Sequence, residues 1–395
     1  MKKILLFLVL FTSSCSTTEN FLPSLIPDFV ENYFKPEVKP YSDLPIFTPN
    51  VKIQLIWEKE VSGNIEENYS FLNFYKHNDD IFLPTTDKEV YIISSESGEV
   101  KNSIDVNLDI FSNIVVDENL IYFGSKQDTI TAIDYSNKKL LWQRVMSSEV
   151  MSVSEINENV IYVRTNDSKV SAININTGKF LWINSQIPSE LSIRGMSEPV
   201  IADGKLFVGF DDGKIISYNL DNGDINWQVK IPAPKNENII ERLNDIDGSM
   251  IIDNSILYAI SYQGSVVAID CFTGQILWIK EASSIFGLDS NEDNVFYIDD
   301  DGILWGIEKF SGRPAWKQDQ FFKRLKGTPI FYNEFVIAKD IENYLHIFNS
   351  NDGTVIGRLE INSDIQFILA DYDSLYMLDK KFSLKKYEIN NIVSE

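Results

Sequence analysis

The chain has 395 residues, 44% of them hydrophobic and 12% aromatic, which excludes a disordered chain and is enough for a large core. Its 35 Lys and Arg against 58 Asp and Glu leave a formal charge of -23, which would repel a phosphate backbone and excludes a nucleic-acid footprint.

Residues 1–15, MKKILLFLVLFTSSC, set two lysines before an apolar run from Ile4 to Phe11 and end in small residues. That is the layout of a secretory signal peptide, and the run is too short to span a bilayer. Ser14-Cys15 resembles the lipobox of bacterial lipoproteins, in which the Cys becomes the lipidated first residue, although Thr12 stands where Leu is usual. Among such lipoproteins Asp after the Cys favours the inner membrane, so Ser16 points to the outer one. Residues 16–50 carry Pro23, Pro27, Pro36, Pro40, Pro45 and Pro49 with little periodicity and read as an extended tether, with one short helical turn expected near Phe29 to Phe34. With Cys15 committed to lipid, Cys271 has no disulfide partner and reads as a small core residue.

From residue 51 to 395 one unit recurs. Its clearest copy is YQGSVVAIDCFTGQILW (262–278): Gln263-Gly264 turns, the strand through Ala268 and Asp270 is apolar on both sides and so buried on both faces, Thr273-Gly274 turns again, and Trp278 sits on an outward strand. Strong copies end at Trp142, Trp182, Trp227, Trp278 and Trp316, spaced 40, 45, 51 and 38 residues apart, and three weaker ones flank them, at 80–100, 335–357 and 375–389. Spacing of that size suits four short strands per unit, so the expected fold is all-β, an eight-bladed β-propeller of four-stranded blades whose tryptophans wedge neighbouring blades apart. The last copy lacks an outward strand while IQLIWEKEV (53–61), with Trp57, is an orphan, so the N-terminal strand is expected to complete the last blade and close the ring.

The repeat pattern, a small residue, Asp or Asn, a Thr-Gly-like turn and Trp, resembles that of quinoprotein-type propellers and is silent on function. Two further stretches, LSIRGMSEP (191–199) and ERLNDIDGS (241–249), resemble segments of the BamB family, lipoprotein subunits of the machinery that assembles outer-membrane β-barrels. The resemblance implies a non-enzymatic scaffold, without metal or cofactor, that docks on the periplasmic POTRA domains of BamA, the barrel-forming subunit, beside other subunits and unfolded outer-membrane clients. Carried over by motif, the contact residues are Leu191, Ile193, Arg194, Asp245 and Asp247, Ile193 standing where Leu is usual. The spacing supports the same place independently, because the two longest Trp-to-Trp steps each contain one of these stretches and such insertions fall on one face of a repeat protein. The competing reading of the loops is that they cap the blades, with Arg194 paired internally to Asp245 or Asp247.

Other candidates are weaker. DSNEDN from Asp289 resembles a Ca²⁺ loop, but Asn294 replaces the required Gly and Asp300 the final Glu; it aligns with ordinary turns of other repeats. Asp299-Asp300-Asp301-Gly302 and Asp211-Asp212-Gly213 read as hairpin turns, and His77 and His346 lie in different repeats without metal-ligand spacing. A quinone-dependent dehydrogenase shares the repeat but typically shows an adjacent Cys pair and central Ca²⁺ ligands, which this sequence lacks; a glycan-binding periplasmic propeller is the other alternative.

Overall fold

The computed structural model describes residues 40–63, 72–189, 197–232, 245–246 and 248–392. Among them eight four-stranded antiparallel sheets account for nearly all regular structure. Seven blades are continuous in sequence, at 75–105, 110–145, 150–185, 200–230, 251–281, 289–318 and 325–360. In the eighth, Ile365–Asp371, Ser374–Asp379 and Ser383–Asn391 take Val51–Glu60 as their fourth strand, from Val51 opposite Asn391 to Glu60 opposite Ser383. The expected propeller and its closure by the N-terminal strand are therefore present. First strands of successive blades adjoin one another, so they face the ring's centre.

Blade five shows why this sequence makes blades. Ser265–Asp270, third from the centre, is buried almost end to end because apolar side chains leave both faces and meet blades on either side. Ile276–Glu281, the outermost strand, alternates between half-buried and exposed residues. The turn between them is built by Asp270, whose carboxylate accepts from the N–H groups of Phe272 and Thr273, and by Gly274 at φ 73°.

That glycine explains the tryptophans. Each indole lies on the turn glycine of the following blade: Trp57 on Gly98, Trp142 on Gly178, Trp182 on Gly223, Trp227 on Gly274, Trp278 on Gly312 and Trp316 on Gly353. Each indole N–H donates to a carbonyl of the same turn, for example Trp142 to Ile175 at 2.6 Å and Trp57 to Ser95 at 3.2 Å. Opposite five of the six wedges the third strand carries a small residue, Ala132, Ala172, Ser217, Ala268 or Gly306, while Trp57 faces Lys386. Two blade junctions lack the arrangement, and every part of it is missing together. Between blades one and two, Asn102 takes the Trp position opposite Ile92, and Lys138 takes the turn position at φ 58°. Between seven and eight, Gly357 takes the Trp position opposite Ile347, and Val51 of the closing strand fills the space. Wedge and turn form one unit of packing.

Residues 41–50, read from the sequence as the end of the tether, lie against blade seven and belong to the same compact unit as the propeller. Ser42 N–H donates to Phe322 O at 3.0 Å and Asn50 N–H to Ile356 O at 2.8 Å. Two arginines hold the segment from below: Arg324 lies under the Tyr41 ring at 5.1 Å and donates to Ser42 O, and Arg358 lies under Phe47 at 4.9 Å and donates to Pro45 O. Arg324 is nearly fully buried and paired with Asp340 and Glu342 at 2.7 and 2.6 Å. His346, also buried, has Nε2 3.1 Å from Asp340 and Nδ1 3.3 Å from Arg358 Nε, so neutral imidazole carries its proton on Nε2 and accepts from the guanidinium at Nδ1.

Candidate partner-binding rim

Connections from the fourth strand of one blade to the first of the next all emerge on one rim. Most are short, such as residues 146–149 and 361–364; three are long, 61–74 between blades eight and one, 186–199 between three and four and 231–250 between four and five. The last two contain the stretches singled out in the sequence. Leu191, Ile193, Arg194 and Asp247 lie outside the described residues, as does Cys15. Asp245 is described, and it is fully buried.

The roots of both loops are firmly placed. Ile246 and Ile231 are buried with Phe207, Met250 and Leu257 in the core between blades four and five. The Asp245 carbonyl accepts from Tyr262 N–H at 3.0 Å, which ties the second loop to the turn beside it. The Asp245 side chain is turned inward in this structure. On the first loop, Ser197 is buried and its carbonyl accepts from Ser152 Oγ of the preceding blade at 3.1 Å, while Ile187 at the loop's entry is 88% exposed. Between the roots, Arg164 forms a buried ion pair with Asp211 and lies 5.8 Å from the Phe210 ring centre. The arrangement presents two long segments on buried footings, with an apolar residue free at the edge.

The ring's centre is polar on one side. Tyr75 of blade one donates to Glu155 of blade three at 2.7 Å. Glu198, at the end of the 186–199 connection, stands near that pair; the surrounding protein and the Glu155 charge push its carboxyl up, although the residue is exposed. The remaining sequence candidates resolve into structural roles. Asp289 accepts from Ser290 and Phe331 N–H groups, and Asn291 from Asp293 and Asn294, so DSNEDN spends its oxygens on a turn. Asp299 likewise accepts from Asp301 and Ile303 N–H groups, with Gly302 N–H on its carbonyl. Burial pushes the Cys271 thiol up to about 12, far from a reactive thiolate, and its carbonyl receives the Trp227 indole N–H. His77 lies in the first strand of blade one, remote in sequence and blade from the buried His346. Among the described residues no group of three or more His, Cys, Asp or Glu is placed to hold a metal ion.

What sequence reasoning missed is the pair of arginines under residues 41–50, Arg324 buried and Arg358 half-buried, and a lysine cluster where blades seven and eight meet, because neither follows the repeat and their partners are far apart in the chain.

Comparison with known proteins bears on these loops and on the ring alike. A family profile described as outer membrane protein assembly factor BamB matches residues 54–318. Outer membrane protein assembly factor BamB of Salmonella typhimurium is 32% identical over 332 residues, covering 80% of this chain and 82% of that one. The crystal structure of BamB from Moraxella catarrhalis superimposes with a TM-score of 0.76 at 19% identity, over 85% of this chain and all of that one. A quinohemoprotein alcohol dehydrogenase from Pseudomonas putida shares the fold at a TM-score of 0.66 and 10% identity, over 87% of this chain and 77% of that one.

Proposed function

This chain belongs to the BamB family of outer-membrane protein assembly factors, and from that premise we propose how it takes part in assembly: as a non-enzymatic scaffold, lipid-anchored at Cys15 on the periplasmic face, docking on the POTRA domains of BamA. The observation that carries the reading is that two enlarged connections, 186–199 and 231–250, follow each other around one rim, on either side of blade four. A partner needs an apolar anchor flanked by charge, and the sequences of these two connections supply Leu191, Ile193 and Arg194 on the first and Asp245 and Asp247 on the second. The absence of chemistry is supported by the roles the polar residues already fill: Asp289, Asn291 and Asp299 close turns, and Cys271 is buried between blades. Likeness to the alcohol dehydrogenase is at the level of fold and brings no reaction with it.

The test is a pull-down of the tethered protein from native membranes. The barrel-forming subunit co-purifies under this reading; its absence, with a soluble redox partner in its place, overturns it.

A further inference from the structure

Three lysines meet one carboxylate where blade seven adjoins blade eight. Lys326 Nζ stands 3.4 Å from Asp364 Oδ1, and Lys380 Nζ 2.8 Å from Asp364 Oδ2. Lys339 reaches the same corner from the second strand of blade seven and donates to the Ile365 carbonyl at 2.6 Å. The corner thus gathers three ammonium groups around one carboxylate in a chain whose net charge is -23. The backbone makes room for Lys339: the first strand of blade seven breaks register between Lys326 and Ile330, and Gly327 sits there at φ 87°. A Cβ on Gly327 would fall 2.9 Å from Lys339 Cε. The first strand of blade two bulges likewise between Ile110 and Ile114, so what is particular here is Gly327, whose missing side chain accommodates Lys339 although burial and the Lys326 charge work against its ammonium and bring it down to about 8. A methionine there would pack without that cost.

We propose that this corner binds a phosphate group, whether of free phosphate or of a phospholipid headgroup. Each ammonium offers donors without fixed direction, which suits the tetrahedral oxygens of phosphate, and the negative charge balances the excess of lysine over carboxylate. Lys326 and Lys380 keep 32% and 42% of their side chains exposed, so the group enters from solvent and meets Lys339 at the floor. An entering phosphate takes over from Asp364 part of the bonding to the two outer lysines.

The experiment uses the full chain carrying Cys15→Ser, so that no acyl group contributes. Inorganic phosphate is titrated by calorimetry at constant ionic strength with chloride as the counter-anion. Saturable binding is expected, weakened about tenfold or more by Lys380→Gln and by Lys339→Met. Because phosphate favours the protonated form of Lys339, binding at pH 8.5 takes up protons, and the measured heat varies with the buffer's ionisation heat in the parent chain but not in Lys339→Met. Lys380→Gln alters only a partly exposed residue, which keeps the test sound should Lys339→Met disturb the fold. Sedimentation with phosphatidylcholine vesicles, with and without phosphatidylglycerol, separates the sources: a headgroup site gives phosphatidylglycerol-dependent sedimentation that phosphate competes away, and a free-ion site gives calorimetric binding without sedimentation. No saturable binding in either arm, or binding that both variants leave unchanged, overturns the proposal.

Discussion

The substitution Gly223→Ala tests whether the turn glycines exist for the indoles that lie on them. Two costs add. Residue 223 is at φ 73°, where an alanine pays about 1 to 2 kcal/mol. Its Cβ would also fall 2.5 Å from Cε3 and 2.6 Å from Cδ2 of Trp182. The indole has no room to retreat, since it packs between Tyr162 and Tyr218 at ring separations of 5.7 and 6.2 Å and its N–H donates to Leu220 O at 2.8 Å. Forcing a methyl into such packing costs about 1 to 3 kcal/mol, for a total of about 2 to 5 kcal/mol. The assay is urea unfolding followed by circular dichroism, repeated with Trp182→Leu as the parent. There the methyl finds space and only the backbone cost of about 1 to 2 kcal/mol should remain, so the two changes couple by about 1 to 3 kcal/mol. Equal losses in both parents would refute the reasoning, leaving the glycine explained by its φ angle alone.

Arg194→Glu should weaken binding to the isolated POTRA domains by about 2 to 5 kcal/mol if its contact is buried, with the melting temperature nearly unchanged; early melting with normal binding would instead assign Arg194 to an internal pair with Asp245 or Asp247. Cys15→Ser should move the protein from the membrane pellet to the supernatant after a carbonate wash without altering its far-UV spectrum, and continued pelleting would reject the lipid anchor. Stability should also fall with acid. Burial lowers the pKa of His346, so the unfolded chain takes up its proton first as pH falls through about 6.5. Burial opposes ionisation of Asp340, yet hydrogen bonds from His346, Tyr344 N–H and Arg324 hold it down to about 2, so its contribution, full above about pH 4, is lost toward that value. His346→Gln should flatten urea stability between pH 7 and 5 and leave the drop below pH 4; an unchanged slope in the upper range would exclude His346 as its source.

The ring was legible because its parts recur at fixed spacing. Trp and Gly announce each wedge, and even the irregular ends could be placed, since Trp57 had to find a turn and Gly98 offers one. The contacts around Tyr41 and Phe47 left no such mark: they join prolines and aromatics near the start of the chain to Arg324 and Arg358 near its end, through stacking and carbonyls that no periodicity encodes. The loops were legible in position but not in depth. Nothing in the sequence around Asp245 marks it as buried; it sits beside Ile246, whose seating in the core follows from the fold alone. The lysine corner was invisible because Lys326, Lys339, Asp364 and Lys380 are brought together by two neighbouring blades.

The pairing of Val51–Glu60 with Ser383–Asn391 also sets an order of events during biosynthesis. The first strand to leave the ribosome is the last to find its partner, for the residues it pairs with are made after all seven continuous blades. Until then one long edge, with Val51 upon it, stays open, and the junction that Trp57 seals between blades eight and one cannot form. Chains halted before residue 383 therefore keep a sticky edge that finished chains do not, which gives a quality-control protease a means of telling the two apart.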